Sequence, residues 1–222
     1  MYTTFTERHP LLPFLPEQAI VLMLGSFPPP RERWTMNFYY PNFQNDMWRI
    51  FGLVFFSNKD YFIAGDGKSF DEARIRQFLT QNGIALYDTA EEVMRLKANA
   101  SDQFLTIVKA VDLTNILSQI PRCETIVTTG QKATETLMKQ LGIEQMPHIG
   151  GFIETEYMNR TLRCYRMPSS SRAYPKSLND KAAAYAQMFA TLSVLGYAFP
   201  LKEICCLLSD VTSIKVEPLG KI

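Results

Sequence analysis

The sequence GSFPPPRERWTMNFYYPNFQNDMWRIF, residues 25–51, directly follows the apolar run AIVLML of residues 19–24. A short apolar run that ends at a Gly-Ser turn is typical of a buried strand, and the prolines that follow end the strand because proline lacks the N–H that a sheet requires. The loop beyond the turn is rich in aromatic residues: Trp34, Phe38, Tyr39, Tyr40, Phe43 and Trp48. A surface loop has little reason to carry them unless it packs them or offers some to a flat ligand. This order of strand, turn and aromatic loop indicates a site in an α/β protein.

The rest of the chain repeats the pattern of a short apolar segment followed by a helix signal. Further apolar segments span 84–87, 124–128 and 161–167, and the interval before each is long enough for a crossover helix. This spacing predicts an α/β fold in three layers, α/β/α, with a short, mainly parallel central sheet. The expected helices begin near Met47, cover 70–82, 113–120 and 131–141, and end with one that runs from a capping box at Ser177 to Gly196.

Composition limits the size and the partners of the protein. The chain has 222 residues, 46% of them hydrophobic, and a formal net charge of +1. A chain of this kind can bury one sizeable core, so we expect one domain over residues 1–198 and a partly disordered C-terminal extension over 199–222. Because the net charge is near zero, local patches must carry any nucleic-acid binding.

The sequence also argues against a membrane or an oxidising compartment. Its longest apolar run is about six residues, whereas a bilayer-spanning helix needs roughly twenty. Prolines interrupt the N-terminal stretch that a signal peptide would need. The four cysteines have no C-x-x-C spacing, which makes a disulfide or metal-cluster framework a poor interpretation. We therefore expect a cytoplasmic monomer with no membrane partner, no metal cluster and no cofactor.

The ends of the predicted strands carry the candidate functional residues. In an open parallel sheet, ligands gather at the carboxyl ends of the strands, so the four loops that follow them should converge on one crevice. These loops begin with Gly25-Ser26-Phe27-Pro28, Asp88-Thr89, Thr129-Gly130-Gln131-Lys132 and Pro168-Ser169-Ser170-Ser171-Arg172.

In this order, the loops resemble those of the uracil-DNA glycosylase superfamily, most closely its hypoxanthine-DNA glycosylase and mismatch-specific branches. The resemblance covers residues 19–190. It begins with G-S-x-P, Y-Y and N-x-x-W, which are Gly25-Ser26-Phe27-Pro28, Tyr39-Tyr40 and Asn45-Asp46-Met47-Trp48. It continues through residues 83–88 and 129–133, and it closes with Met167-Pro168-Ser169-Ser170-Ser171, which is similar to the family's L-P-S-T-S loop.

The resemblance implies a fold like that of uracil-DNA glycosylase and a monofunctional DNA glycosylase, which hydrolyses the N-glycosidic bond of uracil or hypoxanthine in base excision repair. Two positions depart from the family pattern. Phe27 stands where much of the superfamily has a catalytic Asp or Asn, and the hypoxanthine-type branch implies that Asn45 is catalytic instead. Arg172 stands where the family often has proline, which alters how the last loop grips a duplex.

Two interpretations of Asn45 remain open from the sequence. Its amide can hold a water molecule through the carbonyl oxygen and donate from the nitrogen, which would position a nucleophile. Alternatively, Asn45 caps the following helix by accepting the amide of Met47 or Trp48, an interaction worth about 1 kcal/mol. The two roles are compatible. Asp46, in the first helical turn, is most simply a partner of the helix dipole.

The remaining candidates would hold the DNA and its extruded base. Phe27, Tyr39 and Tyr40, beside Ser26 of the turn, are candidates to contact the base, with core packing as the alternative; Trp48 is expected in the core. Ser169, Ser170 and Ser171 can hydrogen-bond phosphates, or they can form an ordinary serine-rich turn. Arg172 is expected to enter the gap that the base leaves. Lys132 and the basic residues between 160 and 181 are expected to add positive charge.

Two other classes of protein remain as alternatives. The same fold with an emptied catalytic turn would make an inactive protein that binds DNA or a nucleobase. A small-molecule α/β hydrolase fits the fold but does not fit the order of the motifs. His148 is expected to be structural, and the sequence supports no role for His9.

Overall fold

The computed structural model of the protein describes residues 6–95 and 105–194, and the expected extension over 199–222 lies outside them. The fold is mixed α/β. Its elements are β1 (Thr6–Arg8), β2 (Val21–Gly25), α1 (Met47–Phe56), α2 (Glu72–Gln81), β3 (Ile84–Asp88), β4 (Ala90–Arg95), β5 (Leu105–Ala110), α3 (Leu113–Gln119), β6 (Thr125–Thr129), α4 (Gln131–Leu141), β7 (Phe152–Tyr157), β8 (Arg160–Met167) and α5 (Leu178–Val194).

The main sheet has the strand order β3-β2-β6-β8-β7. β2 pairs in parallel with β3 and β6, and β6 pairs in parallel with β8. Every residue of β2, β3 and β6 is buried, which explains why the sequence shows short apolar runs rather than alternation. The prediction of a short, mainly parallel sheet is confirmed. Its four parallel strands all direct their carboxyl ends to one edge.

The last strand of this sheet, β7, was not predicted as an element. It lies at the edge, pairs antiparallel with β8 and alternates between partly buried and exposed positions. Met158 and Asn159 form the connection and have φ angles of 53° and 58°. Left-handed backbone at both residues of a two-residue connection is typical of a tight β-hairpin.

A second sheet, with the order β1-β4-β5, was also not predicted. Its pairs are antiparallel, and β4 begins directly after Thr89, the one residue that separates it from β3. The sequence of β4, AEEVMR, has no clean alternation because only Ala90 and Val93 are buried. These two side chains form a small core with Phe27 and Leu105. The pairing partners of β4, rather than its own pattern, therefore determine this strand.

The first and last helices pack together over buried aromatic rings. The ring of Phe189 on α5 lies 5.8 Å from Phe51 and 4.9 Å from Phe55 of α1, measured between centroids. Trp48 is only 1% exposed, which confirms that it belongs to the core. Among the helices that the structure describes, none combines the length and the apolar character needed to cross a bilayer.

Replacing Phe189 with Ala should lower the free energy of unfolding by about 3–5 kcal/mol, because it removes a buried ring and leaves a cavity between α1 and α5. Guanidinium denaturation followed by circular dichroism would measure the loss. Thr191→Ala, at an exposed position of the same helix, is the control and should change stability by at most about 0.5 kcal/mol. Equal losses for the two variants would contradict this packing of α5.

Candidate functional site

A cleft of about 490 Å³ opens where the four parallel strands end. Strand-end residues Gly25, Asp88 and Thr129 line it. The predicted site residues that also line it are Ser26, Phe27, Tyr39, Tyr40, Asn45, Ser169, Ser170, Ser171 and Arg172. Lys132 is half-buried in the first turn of α4 and is not among the lining residues of the described chain. The structure thus brings together every predicted site residue except Lys132.

The turn after β2 requires glycine at its first position. A Cβ atom on Gly25 would collide with Oδ1 of Asp88, so only glycine lets that carboxylate lie against the backbone of the turn. Phe27, two residues later, is 9% exposed and packs its ring into the small core of the second sheet. Most of Phe27 therefore serves packing, although its edge reaches the cleft.

The two tyrosines of the aromatic loop differ in how much they offer to a ligand. Tyr39 is 3% exposed, and its hydroxyl donates to the Leu12 carbonyl at 2.8 Å. Burial, followed by the charge of Asp88, raises the pKa of Tyr39 far above its ordinary value, so this phenol stays neutral. Tyr40 is half-buried and its hydroxyl lies 3.2 Å from Thr129 Oγ1.

The backbone of Tyr40 adopts a conformation that bulky residues rarely take. Its φ angle is 51°, in the left-handed region, which carries a strain of about 1–3 kcal/mol. The ring meets the buried Trp48 edge to face, with centroids 5.9 Å apart. Strain of this kind persists only where the surroundings over-determine it. Of the three predicted stacking residues, Tyr40 presents the most surface.

Asn45 takes part in the start of α1. Its Oδ1 accepts the backbone N–H of Met47 at 2.9 Å, which is the contact that the capping alternative expected. The residue at the N-cap position of α1 is nevertheless Asp46, whose side chain makes no capping bond. Arg49 braces the same turn by donating to the carbonyls of Phe43 and Asn45 at 2.7 and 3.2 Å. These bonds fix the Asn45 side chain at the cleft wall. Within residues 6–95 and 105–194, the second lone pair of Oδ1 and the Nδ2 group have no other hydrogen-bond partner.

A buried ion pair lies directly beneath Asn45. Asp46 is 6% exposed, and its Oδ2 accepts a hydrogen bond of 2.9 Å from Lys181 of α5, whose side chain is fully buried. Lys181 also donates to the Ser171 carbonyl at 2.7 Å, and the Asp46 amide donates to the Ser170 carbonyl at 2.9 Å. Asp46 therefore does more than face the helix dipole. It connects the start of α1, the serine loop (Ser169–Arg172) and α5.

The residues of the serine loop differ in their exposure to solvent. Ser170 is 4% exposed, whereas Ser169 is half-buried and Ser171 is exposed. The Oγ of Ser169 accepts the Ser171 amide at 3.2 Å, which holds the loop in a tight turn. Arg172 follows with a side chain that is 56% exposed and a guanidinium 3.6 Å from Asp46 Oδ1. Ser169, Ser171 and Arg172 are thus the members of the loop within reach of a ligand.

The expected basic face between residues 160 and 181 is largely absent. Arg160 donates to four backbone carbonyls around the end of α3, and Arg163 pairs with Glu154 at 2.6 Å. Arg166 donates to the Pro147 carbonyl. Lys181 is buried, as described above. These side chains stabilise the fold locally, which leaves Arg172 and Lys176 as the exposed cations of this stretch.

One pair of residues at the strand ends had no predicted role, although Asp88 begins one of the four loops expected to converge there. Asp88 ends β3, lines the cleft and is 6% exposed, and its Oδ2 lies 2.9 Å from Nε2 of His9. Its position at a strand end predicted Asp88 at the crevice but indicated no role for its carboxylate. No local signal points to His9, because the pair is separated by 79 residues in sequence. Within the described residues, no three His, Cys, Asp or Glu side chains are grouped to hold a metal ion.

Comparison with known proteins adds a likeness in fold. A solution NMR structure of a "putative uracil DNA glycosylase" from Methanosarcina acetivorans matches 85% of this chain and 99% of that chain, with a TM-score of 0.55 and 21% sequence identity. The two chains share a fold. This finding supports the predicted α/β fold. Comparisons of the sequence with family models and with curated proteins give no match.

Lys181→Met should destabilise the protein by about 3–5 kcal/mol, because it removes the buried cation of the Asp46 carboxylate and leaves only the exposed Arg172, 3.6 Å away, beside it. Adding Asp46→Asn to that variant removes the unpaired charge and should restore part of the loss. Urea denaturation of the single and double variants would measure both effects. Lys139→Met, at an exposed position of α4, is the control; a single-variant loss no larger than this control's would contradict the buried pair.

Proposed function

We propose that this protein is a monofunctional DNA glycosylase that hydrolyses the N-glycosidic bond of a deaminated base, uracil or hypoxanthine, and so acts in base excision repair. The observation that carries the proposal is the gathering of Asn45, Tyr40 and the loop Ser169–Arg172 around one cleft at the strand ends. The order of these motifs along the chain supports it, and so does the likeness in fold to the Methanosarcina structure.

Hydrolysis of the N-glycosidic bond depends more on the correct placement of a water molecule than on a strong general base. The C1′–N bond breaks with its electron pair on the departing base, while a water oxygen bonds to C1′. The proton that this water loses passes through solvent to the departing base, so the products are a sugar hydroxyl and a neutral base. Asn45 accepts the Met47 amide with one lone pair of Oδ1. In the described part of the chain, its second lone pair and its Nδ2 group have no other partner, so they can orient the water. Because the helix start already fixes the side chain, orienting the water costs little further entropy.

The base would enter the cleft after extrusion from the duplex, since a glycosylase cannot reach its bond inside the stack. Tyr40 offers a ring face for stacking, and Ser26 and the edge of Phe27 complete that side of the cleft. The Asp88 carboxylate offers an acceptor. Uracil and hypoxanthine carry an N–H on their pairing edge where cytosine and adenine carry a lone pair, so a carboxylate there favours the deaminated base.

The exposed end of the cleft would hold the DNA backbone. Ser169 and Ser171 can donate to phosphate oxygens on either side of the extruded nucleotide. Arg172 has the length and exposure to enter the space that the base vacates. Among the described residues that line the cleft there is no lysine, and Lys181 is sequestered against Asp46. A Schiff-base lyase step therefore has no candidate nucleophile, which favours a monofunctional enzyme.

A second candidate function is a catalytically inactive protein that binds DNA or a nucleobase. Two observations favour it. Phe27 occupies the turn position where a catalytic Asp or Asn is usual in the superfamily, and its ring is mostly committed to packing. The Asn45 Oδ1 is already engaged in the start of α1. A site of this kind can hold an extruded base without cleaving its bond.

Further parts of the proposal rest on the sequence. They include membership of the hypoxanthine-type or mismatch-specific branch, a three-layer α/β/α arrangement and one domain over residues 1–198. They also include the proposal that the protein is a cytoplasmic monomer that acts on damaged DNA without a metal cluster or cofactor. The near-neutral net charge of +1 is compatible with a protein that binds DNA through one local surface.

Asn45→Ala should slow base release from a uracil- or hypoxanthine-containing duplex by about 100-fold or more, because the attacking water loses its hydrogen-bonding partner. Binding to the same duplex should persist. Single-turnover release from a panel of duplexes carrying uracil, hypoxanthine, xanthine or mismatched thymine would measure the effect and identify the base.

Two control variants separate chemistry from capping at Asn45. Asn45→Ser keeps an oxygen that can accept the Met47 amide, so it should preserve stability yet still lose base release. Asn115→Ala, at an exposed asparagine of α3, should change neither property. Full release by the Asn45 variants would show that Asn45 only caps the helix, and absence of release by the wild type with tight binding would favour the binding protein.

Arg172→Ala should reduce the steepness with which DNA affinity falls with salt by about one unit in the log–log slope, because one fewer cation displaces counterions from the phosphates. Fluorescence anisotropy at several salt concentrations would give the slope. Arg122→Ala, at an exposed arginine just before β6, should leave it unchanged. If wild-type binding showed no salt dependence, a small-molecule enzyme would be the better interpretation.

A further inference from the structure

His9 lies outside the main sheet, behind Asp88, and is not among the residues of the described chain that line the cleft. It follows β1 directly, and its backbone amide donates to the Glu91 carbonyl at 2.8 Å, which continues the pairing of β1 with β4. Its side chain is only 2% exposed. Rings surround it on three sides, with centroids 5.3 Å away in Phe27, 6.2 Å in Tyr39 and 4.7 Å in Tyr87. A histidine enclosed in this way has essentially one orientation.

Both ring nitrogens of His9 have partners. Nδ1 lies 3.2 Å from the Leu11 amide and 2.9 Å from the Leu11 carbonyl, so a local turn holds that side of the ring whichever tautomer is present. Nε2 lies 2.9 Å from Oδ2 of Asp88. The ring is therefore a rigid bridge between the N-terminal segment and the end of β3.

Asp88 has one oxygen toward this bridge and one toward the cleft wall. Oδ2 meets His9, whereas Oδ1 lies against Gly25, which itself lines the cleft. In the part of the chain that the structure describes, His9 is the one side chain that hydrogen-bonds to the Asp88 carboxylate. A buried carboxylate without a donor would be costly and free to rotate. Its orientation toward a ligand therefore depends on His9.

We propose that His9 is a positioning residue of the cleft, which holds Oδ2 of Asp88 so that Oδ1 faces the base. This inference rests on the proposed function and extends it, because it makes the segment around β1 a part of the site. His9 acts through Asp88 and does not itself touch the base. Such an arrangement resembles the way that an outer hydrogen-bond partner fixes a ligand-binding side chain, where loss of the partner typically reduces activity by about 10- to 100-fold.

The test compares His9→Leu with His9→Gln, whose amide nitrogen can still donate to Oδ2 of Asp88. His9→Leu should slow single-turnover base release by about 10- to 100-fold and leave affinity for the uncleaved duplex unchanged. His9→Gln should restore most of the rate. In an Asp88→Asn background, His9→Leu should cause no further loss, because the two residues act as one unit. His148→Gln, at the exposed second histidine of the chain, is the matched control.

A second measurement keeps the inference testable if His9→Leu does not fold or the wild type is inactive. The chain has two histidines, so the His148→Gln variant assigns the ring signals of His9 by NMR. Asp88→Asn and saturating free uracil or hypoxanthine should each shift the His9 signals and leave those of His148 unchanged.

The outcomes separate this inference from the proposed function. Wild-type release that is unaffected by His9→Leu, or slowed without rescue by His9→Gln, would overturn the inference while the glycosylase stands. If the wild type released no base, the proposed glycosylase would be rejected. The NMR signals of the His9 ring would then test the positioning role by themselves. His9 signals that shift with free base would support the positioning role, and signals that do not shift would overturn it.

Discussion

Parallel pairing of β2 with β3 and β6, and of β6 with β8, is the constraint on which the rest of the structure depends. Because parallel strands run in one direction, their carboxyl ends and the loops that follow them must share one edge. Four loops that are distant in sequence thereby meet around one cleft. The glycine at position 25 then lets Asp88 lie against the turn, where any side chain would collide with it.

Two buried pairs of polar side chains connect the cleft to the rest of the fold. Lys181 links Asp46 to the serine loop, so the position of Asn45 is coupled to that of the residues proposed to grip DNA. His9 links Asp88 to the N-terminal segment. The ion pair of Asp46 with Lys181 adds little net stability, since desolvation offsets much of its attraction. Removing one partner of either pair is costly, because it leaves a buried polar group unsatisfied. Their evident effect is to fix the geometry of the cleft, and both pairs lie next to residues with a proposed role in the reaction.

The parallel strands and the helices could be predicted because each has a local sequence pattern. β2 and β3 are buried apolar runs, and α4 begins after Gly130 and ends before the left-handed Gly142. The second sheet was not predicted because its strands form by pairing between segments that are distant in sequence. The two buried pairs, whose members lie 79 and 135 residues apart in sequence, were not predicted for the same reason. The cleft residues were predictable from their motifs, whereas the division of Phe27, Tyr39 and Tyr40 between packing and exposure was not, because burial is a tertiary property.

The central claim is that the cleft between Tyr40, Asp88 and the serine loop receives an extruded base. The most direct test is a crystal structure of the protein with a duplex that carries a 2′-fluoroarabino analogue of deoxyinosine, whose glycosidic bond resists hydrolysis. The account predicts that the base lies in the cleft with a face against Tyr40, its pairing edge toward Asp88 and its flanking phosphates at Ser169 and Ser171. A base that stays stacked in the duplex, or a duplex bound to another surface, would contradict it.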